Sequence, residues 1–142
     1  MTRKYKIILV ENDEDEQLFM KEGIAATGLF ELLTQASEGG ALWNWMEAHP
    51  TQLPDVILSD LNMPGKNGYD VINEVKNTPR YAHIPVIITS TSALKTTISN
   101  CLSLGAAGFI EKPETFVNYA PFFKSLHHMI EEKQLINGSL SH

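Results

Sequence analysis

The chain has 142 residues, 43% of them hydrophobic, and a formal net charge of -6. That is enough apolar matter for one continuous core, and the acidic balance argues against the basic surface that grips a nucleic-acid backbone; a cation or a basic protein surface suits it better. No apolar run approaches a membrane span, the charged start lacks the apolar stretch of a secretory signal, and the lone Cys101 permits no internal disulfide, so a cytoplasmic protein without a membrane partner is expected.

Strand and helix patterns alternate along the chain. Residues 6–10 are a short β-branched run of the kind that forms a buried strand. Residues 13–27 read as a helix with acids crowding its first turn, where the dipole favours them, and Gly28 ends it. Residues 30–36 are a less apolar strand, expected nearer a sheet edge, and 40–49 a short helix closed by Pro50. Residues 55–59 are a central strand, and 68–77 a helix with Tyr69, Val71, Ile72 and Val75 as its apolar set. A fourth strand over 85–89 precedes a helix over 94–104, stopped by Gly105, on which Cys101 is a small filler. A short strand over 107–110 is followed by a last helix ending near Lys133. Because proline is tolerated only in a first turn, Pro121 places the N-cap at Asn118. Residues 1–136 then form one domain, and 137–142 a frayed tail. Five strands alternating with five helices predict an α/β fold, a flavodoxin-like doubly wound parallel sheet in the order 2-1-3-4-5.

In such a sheet, chemistry collects beyond the carboxyl ends of the strands. Glu11-Asn12-Asp13, Asp60, Ser90-Thr91 and Lys112-Pro113 each follow an apolar run, and Asn62-Met63-Pro64-Gly65 is a turn just after Asp60. Acids, a hydroxyl and a lysine brought to one edge are the parts of a phosphoryl-accepting magnesium site, since phosphoryl transfer needs chiefly positioning and charge neutralisation. Other residues carry blander readings. Glu14, Asp15 and Glu16 are expected to be a solvated helix start, and the five histidines show no metal-ligand spacing. The first helix is expected to bury Met20, Gly23, Ile24 and Thr27 and to leave Leu18 outside. Trp45, with Leu42 and Met46, is expected to pack on the sheet, and Trp43 to be exposed.

Asp60-Leu61-Asn62-Met63-Pro64-Gly65-x-x-Gly68 resembles the phosphoacceptor strand and turn of response regulator receiver domains. The blocks Pro85 to Ser90 and Gly105-Ala106-x-Gly108-Phe109-Ile110-x-Lys112-Pro113 resemble the family's other two signatures, and the likeness runs from about Lys4 to about Lys133. The His83-Ile84-Pro85 entry and Ser90-Thr91-Ser92 look most like small stand-alone receivers serving phytochrome-type histidine kinases. The resemblance implies that Asp60 is phosphorylated and that Ser90 and Lys112 attend the phosphoryl group. It assigns Mg2+ to Glu11, Asn12, Asp60 and the Asn62 backbone, a switch role to Ser90 and Phe109, and a cis bond to Lys112–Pro113. It also implies a sensor histidine kinase or phosphotransfer protein upstream, docked on the first helix with Leu18 a candidate contact. Downstream it implies another protein or a homodimer, reached through helix 4, strand 5 and helix 5, and no enzymatic turnover of a separate substrate. One departure stands out: the second member of the acid pair after strand 1 is the uncharged Asn12, which favours the alternative of a receiver-like binding module that is poorly phosphorylated. A magnesium-dependent phosphatase would need a second acid close after Asp60, and a flavodoxin-type redox protein a phosphate-cradling loop in place of the acidic Glu11-Asn12-Asp13; neither is present.

Overall fold

The computed structural model describes residues 3–113 and 118–136. In chain order the elements are β1 (Tyr5–Val10), α1 (Glu14–Thr27), β2 (Phe30–Ala36), α2 (Gly39–Ala48), β3 (Val56–Asp60), α3 (Gly68–Lys76), β4 (Val86–Ser90), α4 (Lys95–Leu104), β5 (Gly108–Glu111) and α5 (Ala120–Glu132). The strands form one parallel sheet in the order β2-β1-β3-β4-β5, as the alternating pattern implied. The tail expected to fray lies outside the described residues.

Every residue of β3 and β4 is buried, whereas the middle of β2 is half-exposed. The reason is layering. A parallel sheet needs crossover helices, these cover both faces, and its central strands must be apolar on both sides. Ile8, Ile57 and Ile88 face a cluster completed by Leu42 and Met46 of α2, Val71, Ile72 and Val75 of α3, and Cys101 of α4. Ile7, Leu58 and Ile87 face the opposite cluster, with Met20 and Ile24 of α1 and Phe122, Phe123, Leu126 and Ile130 of α5. The expected role of Cys101 as core filler holds, and α4 buries no other residue.

Local chemistry sets the helix ends. Asp13 caps α1 by accepting from the Glu16 N–H at 3.0 Å, and Gly28 closes it in the left-handed region, φ 66. Asn67 and Asp70 form a reciprocal capping box on α3. The last helix begins at Ala120 with Tyr119 as its N-cap, one residue later than expected. Asn118 still serves that end, because its Oδ1 accepts from the Ala120 N–H at 3.0 Å. Two expectations are corrected. Trp43 is not exposed but half-buried, its ring edge-on to Tyr81 at 5.3 Å, because α2 turns both tryptophans partly inward. No described peptide bond is cis, that of Lys112–Pro113 included. The Lys112 N–H instead donates to the Ser90 carbonyl at 2.9 Å, which seats the lysine at the end of β4.

The two helices on one face meet at a glycine. A Cβ on Gly23 would lie 2.6 Å from the Tyr119 Cβ and 2.8 Å from its carbonyl carbon, so α1 approaches the start of α5 more closely than any side chain permits. Gly23→Ala is therefore expected to destabilise the fold by about 1–3 kcal/mol through overpacking, even though alanine is the better helix former. Urea unfolding with an unchanged m-value checks this; a neutral or stabilising result would show that the seam can relax.

Candidate functional site

The register of the sheet levels the strand ends. Val10 pairs with Ser59, Asp60 with Thr89, and Ser90 with Glu111. The next residues of β1 and β5, Glu11 and Lys112, and the last residues of β3 and β4, Asp60 and Ser90, therefore share one edge. All four are buried, Glu11 to 2%, Asp60 to 7%, Ser90 to 2% and Lys112 to 6% relative exposure.

Lys112 is the hub. Its Nζ lies 2.7 Å from Glu11 Oε1, 2.9 Å from Glu16 Oε2 and 3.4 Å from Asp60 Oδ1. Burial pushes the Asp60 carboxyl above its ordinary range. The Lys112 charge and hydrogen bond pull it back only in part; Glu16 pushes further up, and the Asn62 backbone N–H pulls down. Glu11 is likewise raised, by burial first, against the opposing Lys112 hydrogen bond and charge and with a further push from Asp60. For Lys112, burial disfavours the ammonium, but the bonds and charges of Glu11, Asp60 and Glu16 together outweigh it and hold the lysine above its ordinary value. One ammonium thus faces two carboxylates, Glu11 and Asp60, that burial has made costly to ionise.

The remaining expected residues fall into place unequally. Asn62 is exposed in the turn that leaves β3, and its backbone N–H reaches the Asp60 carboxylate. Gly68 lets that turn fold tightly: its N–H donates to the Leu61 carbonyl at 2.9 Å, and a Cβ there would lie 2.8 Å from the Asp60 carbonyl oxygen. The Ser90 hydroxyl accepts from the Ser92 N–H at 3.2 Å. Phe109 is half-buried against the cluster that α2, α3 and α4 cover. Asn12 is exposed, and the Asp13 side chain is taken up by the α1 cap, while its N–H donates to Glu11 Oε2 at 3.1 Å. Next to Asp60 in register, Thr89 carries the buried hydroxyl that lacks a hydrogen-bond partner among the described residues.

Two members of the cluster do not follow from residue pattern alone. Glu16 is not solvated like Glu14 and Asp15. Its side chain is only 16% exposed, and its Oε1 accepts from the Tyr119 hydroxyl at 2.8 Å. Asp13-x-x-Glu16 has capping-box spacing, which turns an N3 side chain back toward the preceding strand end, but nothing in the spacing names Lys112 or Tyr119 as its partners. Burial, then the Glu16 bond and charge, push the Tyr119 hydroxyl far above its ordinary value, so it stays a donor.

Among the described residues no cluster of three or more His, Cys, Asp or Glu is arranged to hold a metal ion. Glu11 and Asp60 nevertheless bring two carboxylates to one strand edge. That fits magnesium, which takes one or two carboxylates and keeps several waters. No described helix is long and apolar enough to cross a membrane.

Loss of Lys112 would strand the cluster's negative charges. Lys112→Met should cost about 3 kcal/mol of stability near neutral pH, the usual cost of leaving buried charge unpaired. The raised carboxyls of Glu11 and Asp60 bind more protons folded than unfolded, so their contribution is full below the ordinary carboxylate range and is lost as pH rises through their raised values. The deficit of Lys112→Met should accordingly shrink as pH falls toward that range. Chemical denaturation across pH 4.5–7.5, roughly that window, checks the trend, and a pH-independent deficit would contradict it.

Comparison with known proteins points one way. Residues 7–119 match the family described as response regulator receiver domain. The two-component response regulator ORR8 of Oryza sativa subsp. indica is 40% identical over 70 residues, 49% of this chain and 58% of the rice protein, so the match spans little more than half of that relative's length. The phosphorylated cyanobacterial phytochrome response regulator RcpA superposes with a TM-score of 0.74 at 27% identity, covering 92% of this chain and 94% of that one. The Mn(2+)-bound form of response regulator Rcp1 superposes with a TM-score of 0.71 at 26% identity, with the same coverage of 92% and 94%.

Proposed function

Because the chain belongs to the response regulator receiver family, we propose that it is a phosphoacceptor signalling protein whose Asp60 takes a phosphoryl group with magnesium. The observation that carries the reading is Asp60 at the carboxyl end of the central strand with the Lys112 ammonium 3.4 Å away. An Asp60 oxygen forms the new bond to phosphorus as the bond between phosphorus and the donor nitrogen or oxygen breaks, and the donor leaves with that electron pair. Lys112 turns from Asp60 to an oxygen of the incoming group, as a compact point charge can. Ser90 offers its hydroxyl as a donor from the next strand end. Glu11, Asp60, the Asn62 carbonyl and Asn12, whose amide oxygen carries no charge, would hold the magnesium ion, which when bound neutralises negative charge on the phosphoryl oxygens. RcpA, a phosphorylated phytochrome response regulator, supports the phosphoacceptor role, and manganese-bound Rcp1 the divalent cation; a histidine kinase is the upstream partner of this reading. The exposed Leu18 on α1 is a contact for that kinase or for a phosphotransfer protein.

The output is a changed surface, not turnover of a substrate. Ser90 follows the phosphoryl group, Phe109 shifts into the space it leaves, and α4 responds first because only Cys101 anchors it in the core. Leu94, Leu102 and Leu104 lie exposed at or near that helix, apolar surface for a downstream protein or a second copy. The domain so described is residues 1–136, and its setting is cytoplasmic.

Acetyl phosphate with magnesium is expected to add one acid-stable, base-labile phosphoryl group on the peptide carrying Asp60, and Asp60→Asn to accept none. Labelling that persists in Asp60→Asn would defeat the assignment. If the unaltered protein takes no label, the inert binding-module reading gains, which the exposed and uncharged Asn12 already favours. That residue generates its own expectation. Asn12→Asp should tighten magnesium by about 1 kcal/mol and speed labelling, since ligand charge governs hard-cation affinity in a partly screened site. An unchanged magnesium affinity in calorimetric titration would place Asn12 away from the metal.

A further inference from the structure

Three carboxylates converge on Lys112, and they do not stand in the same relation to it. Glu11 and Asp60 sit at strand ends, where a cation would compete with the lysine for both. Glu16 comes from the first turn of α1, with both oxygens engaged, Oε2 on Lys112 at 2.9 Å and Oε1 on the Tyr119 hydroxyl at 2.8 Å. Tyr119 is itself immobilised, 1% exposed and pressed against α1 where Gly23 leaves room. A carboxylate anchored through one oxygen on a buried tyrosine hydroxyl is held back from following a cation into the site, while its other oxygen stays on Lys112. We propose that Glu16 is the positioning residue that keeps Lys112 in the site when Glu11 and Asp60 are given over to a divalent cation, with Tyr119 holding Glu16 in turn; the proposal rests on the receiver reading.

The charges support the same role. A divalent cation plus Lys112 carries three positive charges, and Glu11 and Asp60 supply two negative ones. Asn12 supplies none, so Glu16 is the third carboxylate, and it acts through the lysine and not on the metal. Without it, Lys112 would lean wholly on Glu11 and Asp60 and oppose the cation there. Glu14 is on the same helical turn but exposed, and provides an internal comparison.

Glu16→Gln keeps the length and the Tyr119 hydrogen bond and removes only the charge. Calorimetric titration should show magnesium binding weakened at least threefold in Glu16→Gln and less in Glu14→Gln. Brief acetic anhydride treatment followed by peptide mass spectrometry reads the lysine directly. With saturating magnesium, Lys112 should stay protected in the unaltered protein, be acetylated at least threefold faster in Glu16→Gln, and fall between the two in Tyr119→Phe. Equal weakening in Glu14→Gln, Lys112 acetylation that Glu16→Gln leaves unchanged, or no magnesium binding by the unaltered protein would each overturn the proposal. Neither readout involves phosphoryl transfer, so a protein that fails to label on Asp60 loses the phosphoacceptor reading while the lysine result is judged by itself.

Discussion

The placement of one ammonium group governs this molecule's candidate chemistry. Lys112 is buried among Glu11, Asp60 and Glu16, contributed by the ends of β1 and β3 and by the start of α1. No single element could build the cluster. It exists because parallel strands end level with one another and point their carboxyl ends at a common edge. Burial makes the Glu11 and Asp60 carboxylates costly to ionise, and the lysine offsets part of that cost for both at once. One ammonium against three carboxylates leaves the cluster with more negative than positive charge, an imbalance of the sign that a cation would relieve.

The rest of the fold keeps that cluster dry and in register. The α1–α5 seam matters most, because α1 carries Glu16, Tyr119 begins α5, and Gly23 sets how closely they approach. The opposite face is built differently. There α2 and α3 bury several core residues each, whereas Cys101 is the one fully buried residue of α4, which presents Leu102 and Leu104 outward. The site thus lies between a closely packed seam on one side and, on the other, a helix that buries one residue fully.

Residue pattern alone sufficed for the fold and for the members of the site that sit on strand ends. Short β-branched runs separated by helix-length segments with proper caps permit few arrangements, and the observed strand order is the one expected. Asp60, Ser90, Glu11 and Lys112 were legible because each stands immediately after an apolar run, a position that topology converts into a place. What only tertiary structure decided is what helices bring to that place. Glu16 reads as one more acid of a solvated first turn, and Tyr119 as a residue at the start of the last helix, yet Glu16 meets Tyr119 and Lys112 across 103 and 96 positions of sequence separation. Periodicity within a segment says which face is buried but not which distant side chain shares that burial. Trp43 shows the same limit, since its neighbour Tyr81 lies in the distant turn between α3 and β4. Strand-end residues are placed by the chain's own order, whereas a helix side chain finds its partners only when whole layers have packed, because its direction depends on a rotation that no local pattern specifies.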